Sequence, residues 1–370
     1  MRNHTSGNGT RWSKAGQRFS RRSLLTTGAT AGLGAAGLAL VGCGDDDDEA
    51  ASADPSEGSS PGQPVTVSLA LDWVPNTNHT GFFVADAMGW YEEADVQLEL
   101  LPYASVEPDT LVGTGGANFG ISFAPSLSLA AASGLSLTSV MAVLQRPASA
   151  IAVRSNRADV QTPADLDGLV YAGFGAPWEN PLLQTVIRNA GGTGEFETVV
   201  LNTFAYEAVY GGDADFVIPF MTWEGIEAEL RGTPLKAFQY RDYGFPEFYA
   251  VVMIGNPEWL SSNDKAARGF VSASQRGYQF AAENPDEAAQ ILIDANPSVF
   301  PDEELVFRSA RLLGSDYYLD GDGVFGPQTL ERWTEFPRFL FENGLLTGPD
   351  GDPLSEELDY EALFTNEFLA

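Results

Sequence analysis

Hydrophobic and polar positions follow two different periods along the chain, that of a strand and that of a helix, and segments with the two periods alternate. Residues 65–71 alternate between apolar and polar side chains, as a strand does, whereas residues 81–94 have helical spacing that stops near Gly89. Further strands are predicted at residues 96–103, 117–123, 137–145 and 149–155, with helices at 108–115 and 125–134. Because strands that alternate with helices form parallel β-α-β units, the pattern predicts a doubly wound α/β sheet.

The same alternation starts again after residue 168 and predicts a second unit. Strands are expected at residues 169–175, 196–202, 214–220 and 248–256, and the remainder is mostly helical. The strand at residues 149–155 leads into the second unit, and the similar strand at residues 248–256 leads back to the first. This predicts two lobes joined by a double crossover. We expect the first lobe to comprise residues 65–155 and 250–370, and the second residues 156–249. Ligands of open α/β sheets bind beyond the carboxyl ends of the strands, so we expect a cleft between the lobes.

The amino-terminal region has the order of an export signal. The twin-arginine pair Arg21 and Arg22 precedes a run of small and apolar residues, and the quartet that ends at Cys43 resembles the lipobox of prokaryotic lipoproteins. That resemblance implies that residues 1–42 are a signal peptide and that Cys43 becomes the lipidated first residue. A transmembrane anchor is the alternative, although glycines weaken it. Residues 43–64 are acidic and rich in Ser, Pro and Gly, which predicts a disordered tether to the outer face of the cell membrane.

Charge and cysteine content exclude several classes of function. The formal net charge is −31, and residues 44–145 contain no Lys or Arg. Nucleic acid is excluded as a partner, because its binding depends on neutralised phosphates. The single cysteine rules out a disulfide within the chain and any multi-cysteine metal site. We expect neither a metal nor a cofactor.

A polar cluster follows the first predicted strand directly. Asp72, Trp73, Asn76 and His79 lie within eight residues, at the carboxyl end of that strand. Polar side chains of this kind are rarely buried in a hydrophobic core, and the position of the cluster is typical of a cleft wall. His79 is the only histidine beyond the signal, and no Ser-His-Asp or Cys-His constellation is found around it. The sequence therefore favours recognition over catalysis.

Six longer motifs resemble one family of transport proteins. They are “LDWVPNTNHTGFFVADAMGWYEE” from residue 71, “FGISFAPSLSLAAASG” from 119, “YAGFGAPWENPLL” from 171, “DFVIPFMTWEGIEAELRG” from 215, “YGFPEFYAVVMIGNPEWL” from 243 and “FTNEFLA” from 364. From about Val65 onward the chain is similar to the solute-binding proteins of ABC importers related to the thiamine-pyrimidine binding proteins. It is also similar to a yeast pyrimidine synthase with the same fold. The resemblance implies a type II periplasmic-binding-protein fold, and related branches bind riboflavin or aliphatic sulfonates.

The resemblance implies a monomeric binding protein that delivers a small solute to a permease and its ATPase. The expected solute is a thiamine-pyrimidine precursor such as formylaminopyrimidine or hydroxymethylpyrimidine, with riboflavin or a sulfonate or nitrate-type anion as alternatives. Because residues 44–145 lack basic side chains, neutral or weakly cationic rings rank above anions. A synthase-like enzyme is disfavoured, since Ser126 stands where the donated histidine should be and residues 243–252 contain no cysteine. An adhesion or structural lipoprotein is a third class.

The resemblance also implies which residues contact the ligand. In the first lobe the ring of Trp73 would pack on the ligand, and Asn76 and His79 would line the same pocket beside Asp72. The other implied contacts are Ser122, Phe123 and Pro125 after the third strand, Glu179 and Asn180 in the second lobe, and Trp223 and Tyr249. A flat ring prefers an aromatic face, and a carboxylate accepts from an amino group, so the chemistry agrees. The structural alternatives stay open: a core role for Trp73, loop support by Asp72 or His79, a first-turn helix acid at Glu179 and an N-cap at Asn180.

Overall fold

The computed structural model describes residues 64–104 and 106–370. The predicted signal peptide with Arg21 and Arg22, the predicted lipid anchor Cys43 and the tether up to residue 63 lie outside the described residues. Within the described ranges, no helix is long and apolar enough to cross a membrane. The lipoprotein interpretation therefore stays a prediction from the sequence.

Ten strands are found in the described part of the chain, close to the predicted positions. They are β1 (Val65–Ala70), β2 (Val96–Leu101), β3 (Phe119–Ser122), β4 (Thr138–Ala142), β5 (Ile151–Arg154), β6 (Val170–Gly173), β7 (Glu197–Val200), β8 (Phe216–Val217), β9 (Leu235–Phe238) and β10 (Val252–Gly255). They form two five-stranded sheets, with the orders β2-β1-β3-β10-β4 and β7-β6-β8-β5-β9.

Twelve α-helices accompany the strands in the same described ranges. They are α1 (Thr80–Ala87), α2 (Trp90–Glu93), α3 (Pro108–Gly113), α4 (Ala124–Ala132), α5 (Glu179–Asn189), α6 (Ala205–Gly211), α7 (Glu224–Leu230), α8 (Pro257–Ser262), α9 (Asp264–Glu283), α10 (Pro285–Ala295), α11 (Glu303–Asp316) and α12 (Leu330–Glu342). Pro108, Pro257 and Pro285 each stand in the first turn of a helix, where a missing N–H costs nothing.

Each sheet contains one antiparallel strand, which the prediction of parallel units did not include. In the first sheet β1 runs parallel to β2 and β3, whereas β10 runs antiparallel to β3 and β4. In the second sheet β6 runs parallel to β7 and β8, whereas β5 runs antiparallel to β8 and β9. The antiparallel strands, β5 and β10, are the two that follow a crossing of the chain from one sheet to the other. Each starts near the junction between the two sheets and runs away from it, whereas the parallel strands run toward the junction.

The crossings also decide which edges of the sheets face each other. The end of β4 leads directly into β5, and the end of β9 leads into β10. The carboxyl ends of the parallel strands in the two sheets are therefore turned toward one another, where a ligand cleft was predicted. Two details differ from the sequence expectation. β5 belongs to the second sheet although residues up to 155 were assigned to the first lobe, and the short strand β9 was not predicted.

Close packing of α1 on α9 positions the segment that follows β1. A Cβ atom on Gly277 would lie 2.0 Å from the carbonyl oxygen of Gly81, and one on Gly81 would lie 2.2 Å from the ring of Tyr278. Both positions therefore require glycine, because any side chain would push the helices apart. The Tyr278 hydroxyl donates to the carbonyl oxygen of Asn78 at 2.5 Å, which ties α9 to the same segment.

The two lobes share apolar contacts along the junction. The rings of Phe248 and Phe336 lie 4.4 Å apart between centroids, and Trp178 of the second lobe meets Phe336 edge-on at 6.5 Å. Phe336 belongs to α12, which packs on α4 of the first lobe. Burial of these rings stabilises the relative placement of the lobes in this conformation, since each large aromatic side chain contributes ~1.5–3 kcal/mol when buried.

Candidate functional site

The loop after β1 holds three of the predicted site residues, Asp72, Asn76 and His79, in a network of its own. The backbone N–H of Asn76 donates to Nδ1 of His79 at 3.3 Å, and Nε2 of His79 bonds Oδ1 of Asp72 at 2.8 Å. Because Nδ1 accepts, the ring proton lies on Nε2 and is donated to Asp72. His79 is fully buried, and the Asn76 side chain accepts from the Asn78 N–H at 2.9 Å. Both residues therefore brace the loop, and their predicted ligand contacts stay predictions.

The bracing presents an aromatic pair at the ends of β1 and β2. The half-buried Trp73 ring lies 5.1 Å from the ring of Tyr103, with an interplanar angle of 43°. Tyr103 is 41% exposed, so this pair has free surface on which a flat ring can stack. Tyr103 was not predicted from the sequence. Its position directly after the second strand was the available signal, because adjacent parallel strands end at the same edge.

Ser122, at the end of β3, bonds a buried carboxyl group that the sequence reasoning missed. Its hydroxyl donates to the two carboxylate oxygens of Asp109 at 2.8 and 2.9 Å. Burial raises the pKa of Asp109 to about 6, and the negative charges of Glu107 and Asp72 add to the rise, while the Ser122 bond opposes it. Asp72 and Asp109 thus place two carboxyl groups close together on the first lobe.

Phe123 joins this wall to the second lobe. It precedes α4, whose first turn contains the buried Pro125, and its ring lies 6.2 Å from that of Phe220 after β8. Trp223 of the same second-lobe segment is half-buried and meets the ring of Phe300, which precedes α11, at 6.1 Å. The predicted residues Phe123 and Trp223 therefore both lie at contacts between the lobes.

Glu179 organises the glycine-rich loop of the second lobe. Its Oε2 accepts from the N–H groups of Phe174 and Gly175 at 3.1 and 3.3 Å, and from the Tyr171 hydroxyl at 3.1 Å. Among the described residues, its Oε1 accepts only from the Ala176 N–H, at 3.0 Å. The first-turn role foreseen as the structural alternative is therefore present. One lone pair of Oε1 remains for a ligand donor, so the predicted contact stays a prediction.

A second buried carboxyl group in this lobe was missed by the sequence reasoning. Glu224 begins α7 and accepts from the Phe220 N–H at 3.0 Å. Burial raises the pKa of Glu224 to about 8; the backbone N–H groups of Glu224 and Phe220 oppose the rise, and the charge of Glu227 adds to it. The signal in the sequence was its place beside Trp223, in the segment that follows a predicted strand.

Two predicted residues lie apart from the others. Tyr249 is buried in the core, where its hydroxyl accepts from the Thr329 N–H at 3.0 Å and its ring packs 5.9 Å from Trp333. Asn180 is exposed, and its Oδ1 accepts from the Thr198 hydroxyl at 3.1 Å. The expected N-cap role of Asn180 is wrong, since α5 starts one residue earlier, at Glu179.

The carboxyl groups of the site share one electrostatic property. In residues 64–104 and 106–370, every ion pair of an Arg or Lys uses a carboxylate other than Asp72, Asp109, Glu179 and Glu224. Asp72 instead accepts the hydrogen bond from the His79 ring. The described residues also contain no group of three or more His, Cys, Asp or Glu that could hold a metal ion. In the described part of the chain, these four carboxyl groups thus have no Arg or Lys partner.

Residues 76–288 match the family described as NMT1/THI5 like. The chain belongs to the NMT1/THI5-like family. Within that family it is 29% identical over 290 residues to the formylaminopyrimidine-binding protein of Halalkalibacterium halodurans, covering 77% of this chain and 87% of the relative. It is 28% identical over 239 residues to the 4-amino-5-hydroxymethyl-2-methylpyrimidine phosphate synthase of Legionella pneumophila, covering 63% of this chain and 74% of the synthase.

Solved structures show the same fold in proteins of low sequence identity. The alkanesulfonate-binding protein SsuA from Xanthomonas axonopodis pv. citri, bound to MOPS, superposes with a TM-score of 0.60 at 14% identity. The match covers 83% of this chain and 99% of that protein. It confirms the predicted two-lobed fold of two α/β sheets.

Proposed function

We propose that the chain is the solute-binding component of an ABC importer and captures a small heteroaromatic solute between its lobes. The family, the fold and the named ligand of the Halalkalibacterium relative support this proposal. The preferred ligand is a thiamine-pyrimidine precursor, such as formylaminopyrimidine or hydroxymethylpyrimidine. The partners would be a membrane permease and its ATPase.

The observation that carries the ligand class is the acidic, aromatic character of the site. Asp109, Glu179 and Glu224 are each at least nine-tenths buried without a cationic partner among the described residues. Buried carboxyl groups need hydrogen-bond donors, and an aminopyrimidine supplies them from its amino group. Its flat ring fits the exposed face of the Trp73–Tyr103 pair. A sulfonate or nitrate would instead approach carboxyl groups, which costs electrostatic energy.

Binding by closure of the lobes is the mechanism that this arrangement supports. The first lobe contributes Trp73 and Asp109, and the second contributes Glu179 and Glu224. A ligand that contacts both sets stabilises the closed form to the extent of its differential affinity for that form. One aromatic stack and a few hydrogen bonds, together with apolar burial, are enough for micromolar affinity, which corresponds to about −8 kcal/mol.

The alternatives differ in what they would require of the site. Riboflavin also stacks on aromatic rings and is the second candidate. A synthase-like reaction is disfavoured by Ser126, which stands in α4 where the resemblance places the donated histidine, and by the absence of any cysteine beyond Cys43 in the sequence. We therefore propose a binding protein rather than an enzyme.

Calorimetry with a panel of solutes tests the proposed ligand class. We expect formylaminopyrimidine or hydroxymethylpyrimidine to bind with micromolar affinity, and an alkanesulfonate and nitrate not to bind. Trp73→Ala should weaken binding ~10-fold or more, because one stacking face is lost. Trp90→Ala is the matched control, since Trp90 is also half-buried but stacks under Arg276, 3.9 Å away on another face. Binding of the anion alone would overturn the proposal.

Export and lipid anchoring are a separate proposal that rests on the sequence. Arg21 and Arg22 would direct export, and Cys43 would carry the lipid. Cys43→Ser should move the protein from the membrane fraction to the extracytoplasmic soluble fraction and abolish labelling by radioactive fatty acid. Unchanged membrane association of this variant would instead support the transmembrane alternative.

A further inference from the structure

A cavity lies beside the two chain segments that cross between the sheets. The first crossover comprises residues 143–150, between β4 and β5, and the second comprises residues 239–251, between β9 and β10. Both crossovers line the cavity, which has a volume of about 140 Å³. One water molecule needs only ~10–15 Å³ of such space, so a small polyatomic ion fits. Among the described residues, those that line the cavity include none of the predicted ligand contacts.

Two arginines from different crossovers line this cavity. Arg146 is followed by Pro147 in the first crossover, and Arg241 shares its crossover with Pro246. The two proline rings fix φ and so limit the freedom of the cavity walls. Tyr317, directly after α11, forms a third wall. Burial raises the pKa of Tyr317, and the positive charges of Arg146 and Arg241 oppose the rise. Both guanidinium groups therefore act on the same space.

Each guanidinium group has donors that protein groups do not use. Among the described residues, the Arg146 side chain donates one hydrogen bond, to Asp316 at 3.2 Å, and that of Arg241 donates one, to Glu247 at 3.2 Å. A guanidinium group carries five N–H donors. The Arg146 group also lies 4.9 Å above the ring of Tyr317, which holds it beside the cavity. Unused donors on two sides of a cavity suit an acceptor with several oxygens.

Glu247 is the one carboxylate among the described residues that line the cavity. Arg241 binds its Oε1 at 3.2 Å, and Nη2 of Arg332 lies 3.6 Å from its Oε2, so two guanidinium groups flank it. Arg332 also donates to the carbonyl oxygen of Gln145 in the first crossover, which fixes this arrangement. Asp242 lies 3.9 Å from Nε of Arg241 but does not line the cavity. Two positive charges and one negative charge thus face the cavity, in a chain whose net charge is −31.

We propose that this cavity binds a small divalent oxyanion of the phosphate type, held between Arg146 and Arg241. Hydrogen bonds between two ionised groups are about twice as strong as neutral ones, and a guanidinium group matches the spacing of two phosphate oxygens. The bound anion would connect the two crossovers. The site lies outside the cleft and does not depend on which solute the cleft binds. Because the whole chain is strongly acidic, we expect millimolar rather than micromolar affinity.

Calorimetry with inorganic phosphate tests the site, at about pH 8, where phosphate is mostly a dianion, and with sodium chloride keeping the ionic strength constant. Wild type should bind one phosphate per chain with a dissociation constant of ~1 mM. Arg146→Gln and Arg241→Gln should each weaken binding ~10-fold or more, because each removes charge-assisted hydrogen bonds. Arg338→Gln is the matched control and should change nothing, since Arg338 also pairs with a carboxylate and lies over a tyrosine ring, but away from the cavity.

Glu247→Gln gives a second readout, of opposite sign. It removes the negative charge that lines the cavity and keeps the shape of the side chain, so phosphate should bind ~3-fold or more tightly. A purely structural role of the ion pairs would give no such gain. Absence of saturable phosphate binding by wild type, unchanged affinity in both arginine variants, or failure of Glu247→Gln to bind more tightly would overturn the proposal and leave the proposed function intact. If one arginine variant does not fold, as judged by circular dichroism, the other variant and Glu247→Gln decide.

Discussion

His79 provides a sharp test of what the loop after β1 does. Its fully buried ring accepts from the Asn76 N–H at 3.3 Å and donates to Asp72 at 2.8 Å. Replacing it with Ala removes both bonds, opens a cavity and leaves Asp72 without that donor. Because these bonds hold the loop, we expect His79→Ala to destabilise the fold, and any loss of ligand affinity to follow from that.

The magnitude can be worked from these contacts. Each hydrogen bond contributes ~0.5–1.5 kcal/mol, with the upper value for the bond to the Asp72 carboxylate. Truncation of a buried ring adds ~2 kcal/mol or more, depending on how far the surroundings relax. The expected fall in the free energy of unfolding is ~3–5 kcal/mol. Trp73→Ala should cost only ~1 kcal/mol, because the Trp73 ring is half-buried and part of its face is already solvated.

Urea unfolding at pH 7, followed by far-ultraviolet circular dichroism, measures the free energy of unfolding of both variants and of wild type. The dependence of that free energy on urea concentration is fitted with one common slope. The expected ranking is His79→Ala far below Trp73→Ala in stability, and the reverse ranking for loss of ligand affinity. A loss of less than ~1 kcal/mol for His79→Ala would refute the reasoning, because a braced, buried imidazole cannot be that dispensable. Weak binding by a fully stable His79→Ala protein would instead place the imidazole in contact with the ligand.

Three further expectations follow from particular contacts. A Cβ on Gly277 would lie 2.0 Å from a backbone oxygen of α1, so Gly277→Ala should lower the free energy of unfolding by ~3 kcal/mol or more, as measured by thermal unfolding. Gly321→Ala, with open space around it, should lower that free energy little, and equal losses for the two variants would contradict this. Arg308 of α11 pairs with Glu229 of α7, so Arg308→Gln should speed ligand release ~2–5-fold in stopped-flow measurements, and an unchanged rate would remove the pair from closure. Burial raises the pKa of Asp109 to about 6, so ionising it costs stability as the pH rises from about 4 to 6. Asp109→Asn should therefore gain ~2 kcal/mol over wild type above pH 6 and nothing near pH 4, and a gain independent of pH would refute the assignment.

The sequence by itself was enough to predict the class of fold. Period-two and helical spacing located most strands and helices of the two lobes, because those periods report directly which face of an element is buried. The strand β9 was not predicted, since residues 235–238 are only partly buried and their apolar and polar side chains show no strong alternation. The motifs that follow strands also predict that Trp73, Phe123 and Glu179 lie at sheet edges.

Tertiary structure decided which of those residues are free to meet a ligand. His79 and Asn76 bond within their own loop, Glu179 binds the backbone around it, and Tyr249 is enclosed in the core. The partners of the first three come from the local path of the chain, and those of Tyr249 come from a distant segment. A pattern of residue types specifies neither.

Pairing across the fold was likewise beyond the sequence. Tyr103 lies 30 residues after Trp73, yet the two meet at adjacent strand ends. Asp109, in the first turn of α3, meets Ser122 at the end of β3, 13 residues later. Glu224 acquires its proton affinity from burial at the lobe junction. The sequence alone determined the two-lobed α/β architecture, because hydrophobic periodicity is a local property. Which side chains form the site, and in which protonation state, depends on desolvation and on contacts between distant segments, and only the folded chain supplies these.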